Sequence, residues 1–217
     1  MAKKTEITLD QIKELRQRSG VGVNAVREAL TASNGDMDLA VKYLREKGMA
    51  KAEKRKGKVA ENGIIGTYVH PNNKVVVVVE VACETDFAAK SEEFSKFASD
   101  VALHIAAVSP KYITIKSIDK NTLAGELTAA EQGLEDKPEN IRKTIIDGKL
   151  EKFYRETVLL KQLLFSDESK TVGDYLNEMI AKTGEKIEIT QFHKLQVSET
   201  NISANLDGEG EEIVEGE

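Results

Sequence analysis

Tryptophan is absent from the sequence, cysteine occurs once, and there are only three prolines and three histidines. A lone cysteine, Cys83, cannot close an intrachain disulfide. With His70, His104 and His193 far apart, it gives no metal-ligand spacing either, so neither a metal nor a cofactor is expected. Sparse cysteine fits a reducing compartment, and a cytoplasmic location is the expectation. No apolar run approaches the roughly 18 residues that span a bilayer. The longest, Val75 to Val79 with Val81 and Ala82 after Glu80, has the length of a strand. The start, Met1-Ala2-Lys3-Lys4-Thr5, is basic without an apolar stretch behind it and is not read as a signal peptide.

Enzymatic signatures are missing as well. Gly20-Val21-Gly22 follows a helical pattern rather than a strand and lacks the Lys-Ser or Lys-Thr of a phosphate loop. No serine or cysteine lies in a nucleophile context. Acid pairs such as Glu92-Glu93 are adjacent, so on a helix they diverge by about 100° and cannot work as an acid/base couple. A non-catalytic binding protein is expected. The net charge of -6 argues against general attraction to nucleic acid, but it is unevenly spread. Eight Lys or Arg lie between Lys42 and Lys58 against Glu46 and Glu53, and Ser198 to Glu217 holds seven acids and no base.

The patterning predicts an α+β fold. Thr8 with Gln11 forms a capping box, and Leu9, Ile12 and Leu15 follow as one apolar stripe. Ser19-Gly20-Val21-Gly22 stops that helix. A second helix turns Val23, Val26, Ala29 and Leu30 inward and ends at Asn34-Gly35. Asp36 caps a third, with Met37, Ala40, Val41 and Leu44 inward and Gly48 as its stop. This three-helix module (1–49) leads to a basic, solvated linker helix (50–61). The α+β core (62–198) follows, as a small antiparallel sheet covered by helices, and then an acidic disordered tail (199–217). In the core, strands Gly63 to Val69 and Lys74 to Cys83 flank the turn Pro71-Asn72-Asn73. The valine run suggests burial of the second strand on both faces. Helices are expected from about Ser91 to Val108, Ile118 to Glu135, Pro138 to Ile146, Lys149 to Lys161 and Thr171 to Lys182. A last strand runs from Lys186 to Val197. His104, on a mostly apolar helix, reads as a satisfied core histidine.

Glu84-Thr85-Asp86-Phe87 is the local oddity, because a buried strand runs straight into a large aromatic at a turn. Two arrangements are open on the residues alone. In the commoner one, Asp86 caps the next helix and Phe87 packs beneath it. In the other, Phe87 is exposed and can enter a partner's pocket.

Several segments together resemble the translation elongation factor Ts family. They are Leu15-Arg16-Gln17-Arg18-Ser19-Gly20-Val21-Gly22-Val23 with Ala29-Leu30 and Asn34-Gly35-Asp36, then Glu84-Thr85-Asp86-Phe87, His104-Ile105-Ala106 and Pro110-Lys111-Tyr112. Val158-Leu159-Leu160, Ser169-Lys170-Thr171-Val172-Gly173 and Ile180-Ala181-Lys182 with Gly184-Glu185 complete the set. The resemblance implies a ubiquitin-associated-like module at the N-terminus and guanine-nucleotide exchange on elongation factor Tu. It implies that Arg16, Gly20, Val21, Gly22 and Val23 dock on the nucleotide-binding domain of that GTPase. Thr85, Asp86 and Phe87 would reach the same domain near its magnesium and phosphate loop, with Phe87 as the wedge, and His70 would meet the third domain. Short members with one sheet core pair as dimers, so a homodimer through the sheet is implied too. The sequence departs from the family pattern at Asn24-Ala25-Val26-Arg27-Glu28, at Leu163-Leu164 in place of Pro-Phe, and at Thr190-Gln191 in place of an Arg pair. The competing expectation is an RNA- or ribosome-binding protein acting through the basic linker, whose affinity would fall steeply with salt.

Overall fold

The structure is a computed structural model that describes residues 7–55, 57–197 and 202–206. In chain order its helices are α1 (Leu9–Ser19), α2 (Val23–Ala32), α3 (Met37–Arg55), α4 (Asp86–Ala89), α5 (Glu92–Val108), α6 (Lys120–Glu131), α7 (Glu139–Thr157) and α8 (Val172–Thr183). The strands are β1 (Asn62–Val69), β2 (Val75–Cys83), β3 (Leu163–Leu164), β4 (Asp167–Thr171), β5 (Ile187–Gln196) and β6 (Ile202–Asn205). The fold is α+β, as the patterning predicts.

The first three helices close on Ile12, Leu15, Val21, Val26, Ala29, Leu30 and Ala40. Their ends follow local chemistry. Thr8 and Gln11 make the reciprocal capping box, and Gly20 leaves α1 in the left-handed region at φ 64°. Asp36 Oδ1 accepts the Leu39 N–H at 2.9 Å to start α3. So small a core cannot cover every apolar position, and Leu9 and Val23, expected inward, are exposed.

Gly48 does not stop α3. The helix runs through it to Arg55 and takes in the first half of the stretch read as a separate linker. A Cβ at Gly48 would stand 3.2 Å from the Asn177 carbonyl oxygen and 3.6 Å from Ala181 Cβ. The glycine is there for close packing of α3 on α8. Gly148 likewise lies inside one helix, α7, rather than between two. A helical glycine costs about 1 kcal/mol, which neighbouring turns can absorb.

The main sheet is antiparallel, ordered β1-β2-β5-β6, with a bulge in the β2–β5 register at Glu80/Val81. Helix α5 crosses one face so closely that a Cβ at Gly66 would be 2.5 Å from the Ala98 carbonyl oxygen. Phe94, Phe97, Val101 and Ile105 of α5 meet Val77, Val79, Val81 and Phe192 there. Lys194, buried on the same face, donates to the Ala106 carbonyl at 3.0 Å and to Ser109 Oγ at 2.5 Å, and so satisfies the carboxyl end of α5.

The opposite face is open. Ile65, Val69, Val78 and Leu195 are exposed on it, so the valine run is covered on one side only, contrary to expectation. Three strands are not foreseen in the sequence. The β3–β4 hairpin precedes α8, and β6 pairs with β5 where a disordered tail was expected. The rest of that tail lies outside the described residues.

Candidate partner-binding site

Strand β2 ends at Cys83, and the chain then turns through Glu84 and Thr85 into the single turn of α4. Thr85 is extended at φ -126°, ψ 153°, and its hydroxyl accepts the Ala88 N–H at 3.3 Å. Thr85, not Asp86, is therefore the cap. Ala88 and Ala89 face the core and anchor the turn, so Asp86 and Phe87 are thrown to the opposite side. Phe87 is 85% exposed, more than any other large hydrophobic side chain among the described residues; Leu9 follows at 72%. The commoner arrangement, a phenylalanine packed under its own helix, does not occur.

The turn is held from three directions. Arg55 Nη1, at the end of α3, reaches both Glu84 oxygens at 3.1 Å. The Lys186 N–H reaches Glu84 Oε1 at 2.6 Å, and Asn62 Nδ2 donates to the Glu84 carbonyl at 2.9 Å. The Lys186 N–H first, and then the Arg55 charge, hold the Glu84 carboxyl below the usual carboxylate range. Glu185, just after α8, accepts the Thr85 N–H at 3.0 Å and the Thr85 hydroxyl at 2.7 Å. Asp86 pairs with Lys90 at 2.7 Å, and that hydrogen bond lowers its pKa as well. Burial pushes the Cys83 thiol up, and its Sγ donates to the Thr85 carbonyl, so it behaves as a structural thiol.

The other sequence-predicted residues lie elsewhere. Arg16, Gly20, Gly22 and Val23 are exposed around the α1–α2 turn, and the Lys182 side chain of α8 lies across Gly20. Val21 differs from expectation. Only 7% exposed, it packs into the three-helix core and lines a groove of about 380 Å³ together with Leu44, Gly48, Asn177 and Ala181. His70 follows β1 and is exposed, its Nδ1 hydrogen-bonded to the Tyr68 hydroxyl at 2.9 Å.

Arg55 and Glu185 were not picked out from the sequence as parts of the site. They stand 29 and 100 positions from their partners. Arg55 looked like one cation of a hydrated run, and Glu185 only completed a motif. No group of three or more His, Cys, Asp or Glu able to hold a metal ion occurs among the described residues, and none of their helices is long and apolar enough to cross a membrane.

The sequence profile of the family described as "Elongation factor TS" matches residues 10–199. Elongation factor Ts of Herpetosiphon aurantiacus is 46% identical over 193 residues, which is 88% of this chain and 98% of that protein. Elongation factor Ts of Geotalea uraniireducens is 46% identical over 198 residues, 89% of this chain and 90% of that protein. The Thermotoga sp. (strain RQ2) protein of the same name is 41% identical over 194 residues, 89% of this chain and 98% of its own length. An α+β body with an anchored, outward aromatic and matches of this extent define a translation elongation factor. The chain belongs to the elongation factor Ts family.

Proposed function

We propose that the protein is a guanine-nucleotide exchange factor for elongation factor Tu, and that Phe87 with Asp86 enters the GTPase near its magnesium and phosphate loop. The observation that carries this is the exposure of Phe87 on a turn otherwise tied to the body. Burying a phenylalanine is worth about 1.5–3 kcal/mol, a gain this turn leaves unclaimed until a partner provides the pocket. A hard Mg²⁺ with near-octahedral ligands tolerates little displacement, so a ring forced beside it weakens bound GDP. By linkage, GDP weakens the exchange factor to the same degree. The process needs no covalent step, and the protein acts as a partner rather than an enzyme.

The three-helix module at residues 1–49 supplies a second contact through Arg16, Gly20, Gly22 and Val23, with Val21 supporting the loop from beneath. His70 and Thr85 complete the surface. A second copy of the chain covers the open sheet face, giving a homodimer that works in the cytoplasm. Within the basic run, Arg55 is committed to Glu84 and Lys51 reaches the Ala181 carbonyl at 3.5 Å, so these two cations tie α3 to the body.

Release of fluorescent GDP from elongation factor Tu tests the proposal. Wild type should accelerate release, and Phe87→Ala should lose about tenfold or more of that effect with its fold intact, the scale of a hot-spot side chain. No acceleration by wild type, or full acceleration by a folded Phe87→Ala, removes the reading.

A further inference from the structure

We propose that Glu185 is a positioning residue for exchange, and that its carboxylate completes the cap that aims Phe87. The proposal rests on the wedge reading above and deepens it. Helix α4 is four residues long. One turn has almost no hydrogen-bond ladder of its own, so its geometry depends on what holds its first residue. In a capping box, the third helical residue sends a Glu or Gln side chain back to the backbone N–H of the cap. In α4 that third residue is Ala88, which has nothing to send.

Glu185 supplies the missing half from the other end of the core. One of its oxygens accepts the Thr85 N–H at 3.0 Å, and the other accepts the Thr85 hydroxyl at 2.7 Å. An ionised carboxylate can only accept, and a hydroxyl has one proton. The Thr85 proton is therefore committed to Glu185, which turns a lone pair toward the Ala88 N–H at 3.3 Å. A single carboxylate thus sets the backbone of the cap and the role of its side chain. Glu185 is itself fixed. Gly184, at φ 72°, turns the chain out of α8, and the Glu185 N–H donates to Thr183 Oγ1 at 3.2 Å. Its influence on Phe87 passes through Thr85.

Four variants test this: Glu185→Ala, Glu185→Gln, Phe87→Ala and the Glu185→Ala/Phe87→Ala double. Hydrogen exchange and stimulated GDP release are read on each. Glu185→Ala should speed hydrogen exchange at the Thr85 and Ala88 amides while leaving Val77, Val79 and Val81 protected. The release rate at saturating protein should fall about tenfold, the fold-change of one lost charge-assisted hydrogen bond. The half-saturating concentration should change little. The double variant should release GDP no more slowly than Phe87→Ala alone. Glu185→Gln keeps the size and one acceptor oxygen and should give an intermediate loss; it carries the test if the alanine variant does not fold. Unchanged Thr85 and Ala88 exchange, or the same fold-loss with and without Phe87, overturns the role of Glu185. So does normal release by Glu185→Ala beside a slowed Phe87→Ala, which leaves the wedge standing. Full release by Phe87→Ala removes the wedge and this role with it.

Discussion

Arg55 Nη1 lies 3.1 Å from each carboxylate oxygen of Glu84 and joins the last residue of α3 to the first residue beyond β2. Helix α3 begins in the three-helix core at Met37 and Ala40 and ends at this pair. At 1.5 Å per residue it is a strut of roughly 28 Å. One rigid element therefore connects the module surface with the base of the Phe87 turn. Arg55→Ala should slow stimulated GDP release and lower the urea midpoint only modestly, because the Lys186 N–H still holds Glu84. Glu84→Ala should lower the midpoint further, since it strands both the guanidinium and that N–H. The reverse ranking in urea titrations would show that the pair does not brace the turn in this way.

His104 is fully buried, and both of its ring nitrogens meet uncharged groups. Its Nε2–H donates to Gln162 Oε1 at 2.9 Å, and its Nδ1 accepts the Phe165 N–H at 3.1 Å. An N–H facing Nδ1 requires the neutral ring, and burial holds the pKa below the ordinary value of 6.5. The unfolded chain thus takes up this proton first as the pH falls. The stability contribution is complete above pH 6.5 and declines below it until the folded ring titrates. Glu84, Asp86, Asp119 and Asp167 have lowered pKa values and lose their contributions at lower pH, beneath the ordinary carboxylate values of 3.8 to 4.5. The urea midpoint should therefore fall between pH 7 and pH 5, and His104→Gln should flatten that segment. At pH 7, His104→Ala should cost about 2–4 kcal/mol through a cavity and two unmet hydrogen-bonding groups. An equal pH slope in His104→Gln would assign the slope to other groups.

What could be foreseen in the sequence is what short-range chemistry decides. Thr8 with Gln11, Gly20, Asn34-Gly35, Asp36, Thr171 and Gly184 all cap or stop helices where their types require. Gly48 and Gly148 do not act as stops because a glycine ends a helix where its backbone takes a positive φ, as Gly20 and Gly184 do and these two do not. At Gly48 the reason is α8, more than 120 positions away. The valine run could not tell which face α5 would cover, since both faces carry the same side chain. At the site, the Thr-Asp-Phe segment was legible by resemblance, whereas its supports Arg55 and Glu185 lie in distant segments and left no local trace.

Val77 and Val78 are consecutive, yet they should respond to the same substitution in opposite ways. Side chains alternate across a strand, and Val77 faces α5, fully buried, whereas Val78 faces outward between Thr67 and His193. Val77→Lys puts an ammonium into the core and should destabilise the protein by about 3 kcal/mol or more. Val78→Lys leaves the core alone but charges the centre of the face proposed to meet a second copy. The wild type should scatter light at micromolar concentration as twice the 23.9 kDa chain mass, and Val78→Lys as one chain, with little change in urea midpoint. Ile65, Val69 and Leu195 lie diagonal to Val78 on that face, with Glu80 two positions along β2, so a lysine from each copy would bring two ammonium groups to be desolvated into a contact that is otherwise largely apolar. A Val78→Lys protein that still weighs as two chains would place the dimer contact elsewhere, and a wild type that weighs as one would remove it.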